Sequence, residues 1–148
     1  VCDKLHEISE VMGSEEKQLI ATFLYMANNN LKCERCAAKL EGERKEKYRR
    51  DRGCYGLVKN PVAFWQYEGS PDKFNFYTCP TNLKSSYFLE LINLYHDYKN
   101  GRTIYSDDLM QMPNRFVQFM DIIGSLIYTK DEHERKKREK VNRNGKRS

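Results

Sequence analysis

Apolar residues recur at helical spacing in three stretches of the chain. In the first, Leu19, Ile20, Phe23, Leu24 and Ala27 line one face of a helix expected over 14–29. Ser14 can cap it, Glu15 and Glu16 put negative charge at its positive end, and Asn28-Asn29-Asn30 marks its stop. In the second, Tyr87, Phe88, Leu91, Leu94, Tyr95 and Tyr98 form a stripe over 85–100 that ends at Asn100-Gly101. In the third, Met112-Pro113 opens a helix carrying Phe116, Phe119, Met120, Ile123, Leu126 and Ile127. The second and third stripes are expected to pack as an antiparallel pair. Beyond Thr129 the apolar face disappears while Glu, Lys and Arg continue, which predicts a charged helical rod that frays before 142–145.

Two stretches follow other patterns. Residues 34–50 look helical but mostly charged, with Leu40 and Tyr48 as packing residues and Gly42 as a weak point. Arg52-Gly53 should end that helix. Over 62–78 the period shortens: Phe64, Trp65, Tyr67, Phe74, Phe76 and Tyr77 crowd around Gly69-Ser70-Pro71-Asp72. This predicts a β-hairpin of 62–68 with 73–78. A further turn or helix is expected within 3–12. The fold class is therefore mainly α with one small β-hairpin, in a single domain over 1–129 followed by a basic helical extension or tail over 130–148.

Composition sharpens this picture. The 148 residues are 39% hydrophobic and 32% charged, so the core is modest, and a metal staple would help to hold it. Aromatic residues, at 12%, compensate in part because each ring buries a large area. No apolar run reaches the length of a transmembrane helix. The formal net charge is +5, and 130–148 accounts for all of it, with nine Lys/Arg against four Asp/Glu. Within the neutral remainder, 39–52 carries seven basic and four acidic side chains.

The most specific chemistry is in the cysteines. Cys33, Cys36, Cys54 and Cys79 are spaced C-x2-C-x17-C-x24-C. Two thiolates three positions apart can grip one ion from a single turn, and two distant ones can complete a tetrahedron. A redox C-x-x-C would want a thioredoxin-like βαβ setting, which the pattern does not contain. Disulfides and unpaired structural thiols are the other readings. The neighbours favour metal: Gly53 and Gly56 flank Cys54, and Pro80 stiffens the exit from Cys79. The expected cofactor is a structural Zn²⁺ with no open coordination position, in a reducing intracellular compartment. Cys2 is read as a spectator, and His6, His96 and His133 as unneeded substitutes.

No catalytic residues are assigned. Asp107 and Asp108 follow Ser106 and read as a cap or turn, and His96 lies on a polar helix flank. The chain has neither a phosphate-cradling glycine loop nor an H-E-x-x-H helix. The rings of 64–77 beside Lys73 could stack exposed bases, but they read better as the core of the hairpin. The basic segments offer a second chemistry. Arg44, Arg49, Arg50, Arg135, Lys136, Lys137, Arg138 and Arg143 suit phosphate contacts or an acidic protein surface. The plainer reading of each run is a solvated face or solubilising tail. An apolar strip through Phe116, Phe119 and Ile123, if exposed, would instead serve a protein partner or self-association.

Phe76-Tyr77-Thr78-Cys79-Pro80 precedes a Tyr-rich helix ending Tyr95-His96-Asp97-Tyr98-Lys99-Asn100-Gly101, and Asp108-Leu109-Met110-Gln111-Met112-Pro113 opens a second amphipathic helix. Over residues 74–127 this pattern resembles small zinc-binding or zinc-ribbon-like proteins encoded in tailed bacteriophage structural gene clusters. Ser106-Asp107 stands where those proteins often carry a glycine pair. The resemblance implies a non-enzymatic accessory role in virion or tail assembly through protein contacts, in the host cytoplasm or the virion. A zinc-stabilised nucleic-acid-binding protein is the alternative. No membrane partner is expected.

Overall fold

The computed structural model describes residues 15–28, 31–64, 72–102 and 113–145. The expected element within 3–12, the Ser14 cap, Trp65, Tyr67, the turn at 69–71, Asp107, Asp108, Met112 and the end of the tail lie outside those residues. By internal packing the chain divides into two compact units, Val1–Asn93 and Leu94–Ser148. The change in composition at 129/130 falls inside a helix rather than at this division.

In the first unit, helix α1 (Glu15–Ala27) buries Leu19, Ile20, Phe23 and Leu24 as its periodicity predicts. Ala21 and Thr22 between them are buried as well and Ala27 is exposed, so packing encloses the helix all round over 19–24. Short 3-10 turns at Asp72–Phe74 and Pro80–Asn82 pack against it. Thr22 is fully buried on α1. Its hydroxyl donates to the Gln18 carbonyl (2.7 Å) and accepts from the Ser85 amide (3.1 Å), fixing the chain just before the next long helix. Lys17 reaches the Lys73 carbonyl at 3.1 Å and lies 4.6 Å over the Phe76 ring.

Helix α2 spans Gly42–Asp51, shorter than the expected 34–50. Two left-handed residues explain the late start. Ala37 has φ +57° and Gly42 has φ +54°, so the chain turns twice before the helix begins. The hairpin is present but short: β1 (Val62–Ala63) pairs antiparallel with β2 (Asn75–Phe76), Val62 opposite Phe76. Bonds from Phe64 N–H to Phe74 O (3.2 Å) and Val58 N–H to Tyr77 O (2.8 Å) extend the pairing beyond both ends. Phe64 and Phe76 meet edge-on at 6.0 Å, and Phe74 and Phe76 are almost wholly buried. Among the described rings of this stretch, Phe64, Phe74 and Phe76 are core, as the plainer sequence reading holds. Tyr77 is the exception, on the outside.

Helix α3 spans Ser86–Lys99, and its residues up to Asn93 belong to the first unit, with Phe88 and Leu91 buried. Tyr87 is 55% exposed and is not part of the buried stripe. In the second unit, the end of α3 runs beside α4 (Asn114–Gly145). Tyr98 meets Phe116 edge-on at 5.9 Å, and the Tyr95 hydroxyl lies 2.8 Å from where a side chain on Gly124 would begin. Later residues of α3 meet earlier residues of α4, so this pair is antiparallel as expected.

Phe116, Phe119, Met120, Ile123 and Leu126 are buried. The strip through Phe116, Phe119 and Ile123 is thus core of the single chain, not an open docking face. The helix continues past Leu126 as a charged rod and does not fray before Asn142; it holds to Gly145. Ion pairs along it supply the support that its missing core cannot. Arg135 pairs with Glu132 (3.0 Å) and Glu139 (2.5 Å), and Lys130 with Glu134 (3.7 Å).

Candidate metal centre

Three separate segments of the first unit carry Cys33, Cys36, Cys54 and Cys79. The first is a run of turns over 31–40. The amides of Arg35 and Cys36 both donate to the Lys32 carbonyl (2.9 and 2.8 Å), so Cys33 and Cys36 sit on one tight loop. Ala37 takes its left-handed conformation directly after Cys36 and turns the chain away. Cys33 is exposed and Cys36 half-buried.

Cys54 is delivered by the end of α2. The Gly53 amide donates to Arg50 O (3.0 Å) and the Cys54 amide to Arg49 O (3.0 Å), the paired bonds of a Schellman motif with Gly53 left-handed at φ +72°. Glycine is required there twice over. Besides the positive φ, a Cβ would lie 2.8 Å from Thr78 Cα, 2.9 Å from Gly56 O and 3.3 Å from Cys79 N. Gly56 has no such neighbour, so of the two flanking glycines only Gly53 is explained by close approach.

The third segment closes onto this turn. The Cys79 amide (3.1 Å), the Thr78 hydroxyl (3.0 Å) and the Asn82 side-chain amide (3.2 Å) all donate to the Gly53 carbonyl. Asn82 also reaches Cys54 O (3.2 Å) and the Thr78 hydroxyl (3.0 Å). One residue earlier than Asn82, the Thr81 hydroxyl donates to Leu31 O (3.1 Å), tying the first cysteine loop to the last. Thr78 and Cys79 are buried. Sequence reasoning did not pick out Thr78, Thr81 and Asn82; their only signal is that short hydrogen-bonding side chains flank the last cysteine.

All four cysteines are free thiols, so the disulfide reading finds no bond among them. Burial pushes the Cys54 thiol up to about 11. Cys79, Cys36 and Cys33 add to the shift in that order because each would repel a thiolate at Cys54. The four thiols therefore share one neighbourhood. Among the described residues no group of three or more His, Cys, Asp or Glu stands ready in ligating geometry. The backbone frame brings the thiols together, and the sulfurs themselves are not closed around a point. The donor set fits zinc in kind: four thiols, no carboxylate, and no histidine among the groups that act on Cys54.

The other residues singled out by sequence lie elsewhere. Cys2 and His6 are outside the described residues, and His96 is exposed on α3 while His133 is half-buried on α4. On α2, Arg44 and Arg50 are exposed. Arg49 lies 4.0 Å from Glu46, and a hydrogen bond with Tyr55 raises its already high pKa. On α4, Lys136, Lys137, Arg138 and Arg143 are exposed, whereas the Arg135 guanidinium is bound to two carboxylates and holds Glu132 below its usual range. Among the described residues no helix is long and apolar enough to cross a membrane. Compared with known proteins, the chain matches no family, no curated sequence and no solved structure.

Proposed function

We propose that the chain is a non-enzymatic accessory module whose first unit is stabilised by one structural Zn²⁺ held by Cys33, Cys36, Cys54 and Cys79. The observation that carries this reading is the bonding of the Cys79 segment to the Cys54 turn through Gly53 O, with Thr81 tying it to the Cys33–Cys36 loop. A cysteine sulfur is placed by one side-chain torsion, so converging backbones leave little to adjust when an ion binds. Four thiolates fill a tetrahedral shell, which leaves the ion a structural part and no open position for a substrate. Binding releases the thiol protons, and its free energy is added to folding. The likeness of 74–127 to small phage proteins supports a place in virion or tail assembly, acting through protein contacts. Elemental analysis of unchelated protein should give one zinc per chain. Metal-free protein, or cysteines paired as disulfides, would end the metal reading.

A second reading has its own observation. Arg44 and Arg50 on α2, and Arg138 and Arg143 on α4, stand exposed with no ion-pair partner among the described residues. Such cations suit nucleic-acid phosphates. Duplex affinity at two salt concentrations separates the two readings. The assembly reading expects weak binding with or without 135–148. Tight, salt-sensitive binding that disappears with those residues would replace it with the nucleic-acid reading.

A further inference from the structure

Beside the first cysteine loop lies a cleft of about 460 Å³, and its lining is unusual in charge. Arg35, Lys39 and Arg52 contribute to it, and no Asp or Glu does. None of the three cations has an ion-pair partner among the described residues. The rest of the wall is neutral, with Leu31, Leu40 and Tyr48 supplying most of its bulk.

Arg52 is the fixed point of this cleft. Its guanidinium lies 4.6 Å from the Phe64 ring and 5.0 Å from the Tyr48 ring, and it donates to the Tyr48 hydroxyl. Two rings hold the planar fork in place while satisfying only part of its five donors. A guanidinium held in this way loses little freedom when it meets an anion, and it matches phosphate oxygens in geometry. Arg35 and Lys39, on the cysteine loop, are exposed and free to close on the same ligand.

We propose that this cleft binds the phosphate of a nucleotide, with Arg52 as its preorganised partner, Arg35 and Lys39 as its mobile ones, and Tyr48 and Leu40 as apolar surface for the attached organic group. The phosphate belongs either to a free mononucleotide or to a nucleic-acid strand. This goes beyond the metal reading and does not require it, because two rings and a hydrogen bond to Tyr48 place Arg52. Cys36 also lines the cleft, so zinc-bound thiolates would offer the same cations a competing partner.

The test uses the full chain with its metal content measured on the same sample. Calorimetry with AMP, with inorganic phosphate and with a short single-stranded oligonucleotide reads binding directly. AMP binding should weaken at least about tenfold in Arg52→Gln and in Lys39→Gln, the worth of one charged hydrogen bond. Lys39 is exposed, so its variant keeps the test valid even if Arg52→Gln unsettles the fold. Lys59→Gln, an exposed cation outside the cleft, should change nothing. AMP tighter than the oligonucleotide assigns the site to a nucleotide; the reverse assigns it to a strand. Absence of binding by all three ligands, or equal binding in wild type and Lys39→Gln, overturns the proposal. So does loss of zinc in both cleft variants with phosphate binding unchanged, which would make the cations counterions of the thiolates. Failure of the metal reading shows separately, in the zinc content of the wild type.

Discussion

The two units of this chain are held together by different physics. In the first, the 78–82 segment closes onto a single carbonyl, Gly53 O, Thr81 ties the first cysteine loop to it, and burial of Cys54 beside Cys79, Cys36 and Cys33 disfavours its thiolate. In the second, a long helix buries Phe116, Phe119, Met120, Ile123 and Leu126, and rings on α3 pack edge-on or against a glycine. The contrast teaches where each unit is vulnerable. The first also has an apolar core, with Leu19, Ile20, Phe74, Phe76 and Leu91 in it, but depends besides on polar bonds that cross long stretches of chain and, on our reading, on an ion. The second depends on apolar volume laid down by one local repeat.

The strongest way to break the comparison is to remove the metal. If zinc is present, chelation or Cys54→Ser should unfold the first unit, since structural zinc contributes on the order of 10 kcal/mol to small domains. Helical signal from 114–145 should then outlast loss of the hairpin in hydrogen exchange. Simultaneous collapse of both units would show that the contrast is false. Next in size is Phe119→Ala, expected to cost about 3–5 kcal/mol through the cavity it leaves. Zinc content should be unchanged, because the effect belongs to the second unit. A cost below about 1 kcal/mol would place Phe119 in a yielding surface instead.

Gly53→Ala tests the polar frame itself. A left-handed alanine costs about 1–3 kcal/mol, and the contacts at 2.8 and 2.9 Å add an overpacking term of similar size. Denaturant unfolding should show both, together with weaker metal retention.

If the first unit stays folded without metal, against the expectation above, the thiols give it a pH signature. The Cys54 pKa is raised from 9.0 to about 11 in the folded chain. The stability this contributes is therefore complete below pH 9 and is lost as pH rises towards 11. Alkylation of Cys54 should have its midpoint near 11, and a midpoint near 9 would mean that the thiol is neither buried nor set beside Cys79. The smallest effect belongs to the rod: deleting 135–148 should shift unfolding by under ~1 kcal/mol, because its ion pairs are exposed.

Much of this was open to reading from the chain alone. Although tertiary packing decides that α1 is buried all round over 19–24 and leaves Ala27 exposed, the face of α4 follows from 3.6-residue periodicity, a property of neighbours in sequence. The burial of Phe116, Phe119, Met120, Ile123 and Leu126 agrees with it. The end of α2 at Arg52-Gly53 was legible for the same local reason, since only a few residue types tolerate the left-handed turn. The charged rod was legible as well; its last stretch over 142–145 was not, and no ion pair among the described residues accounts for it.

From sequence came the long helices α1, α3 and α4, the end of α2, the hairpin's place and the four cysteines that share a chemistry. Tertiary structure alone decided that Gly53 O would gather Thr78, Cys79 and Asn82, that Thr81 would tie Leu31 across 50 residues, and that Phe64 would clamp Arg52 over an acid-free cleft. Periodicity and capping involve residues a few positions apart, so they leave a mark in the order of the chain. A hydrogen bond or ring contact between distant segments depends on how the loops close, and no local pattern records it.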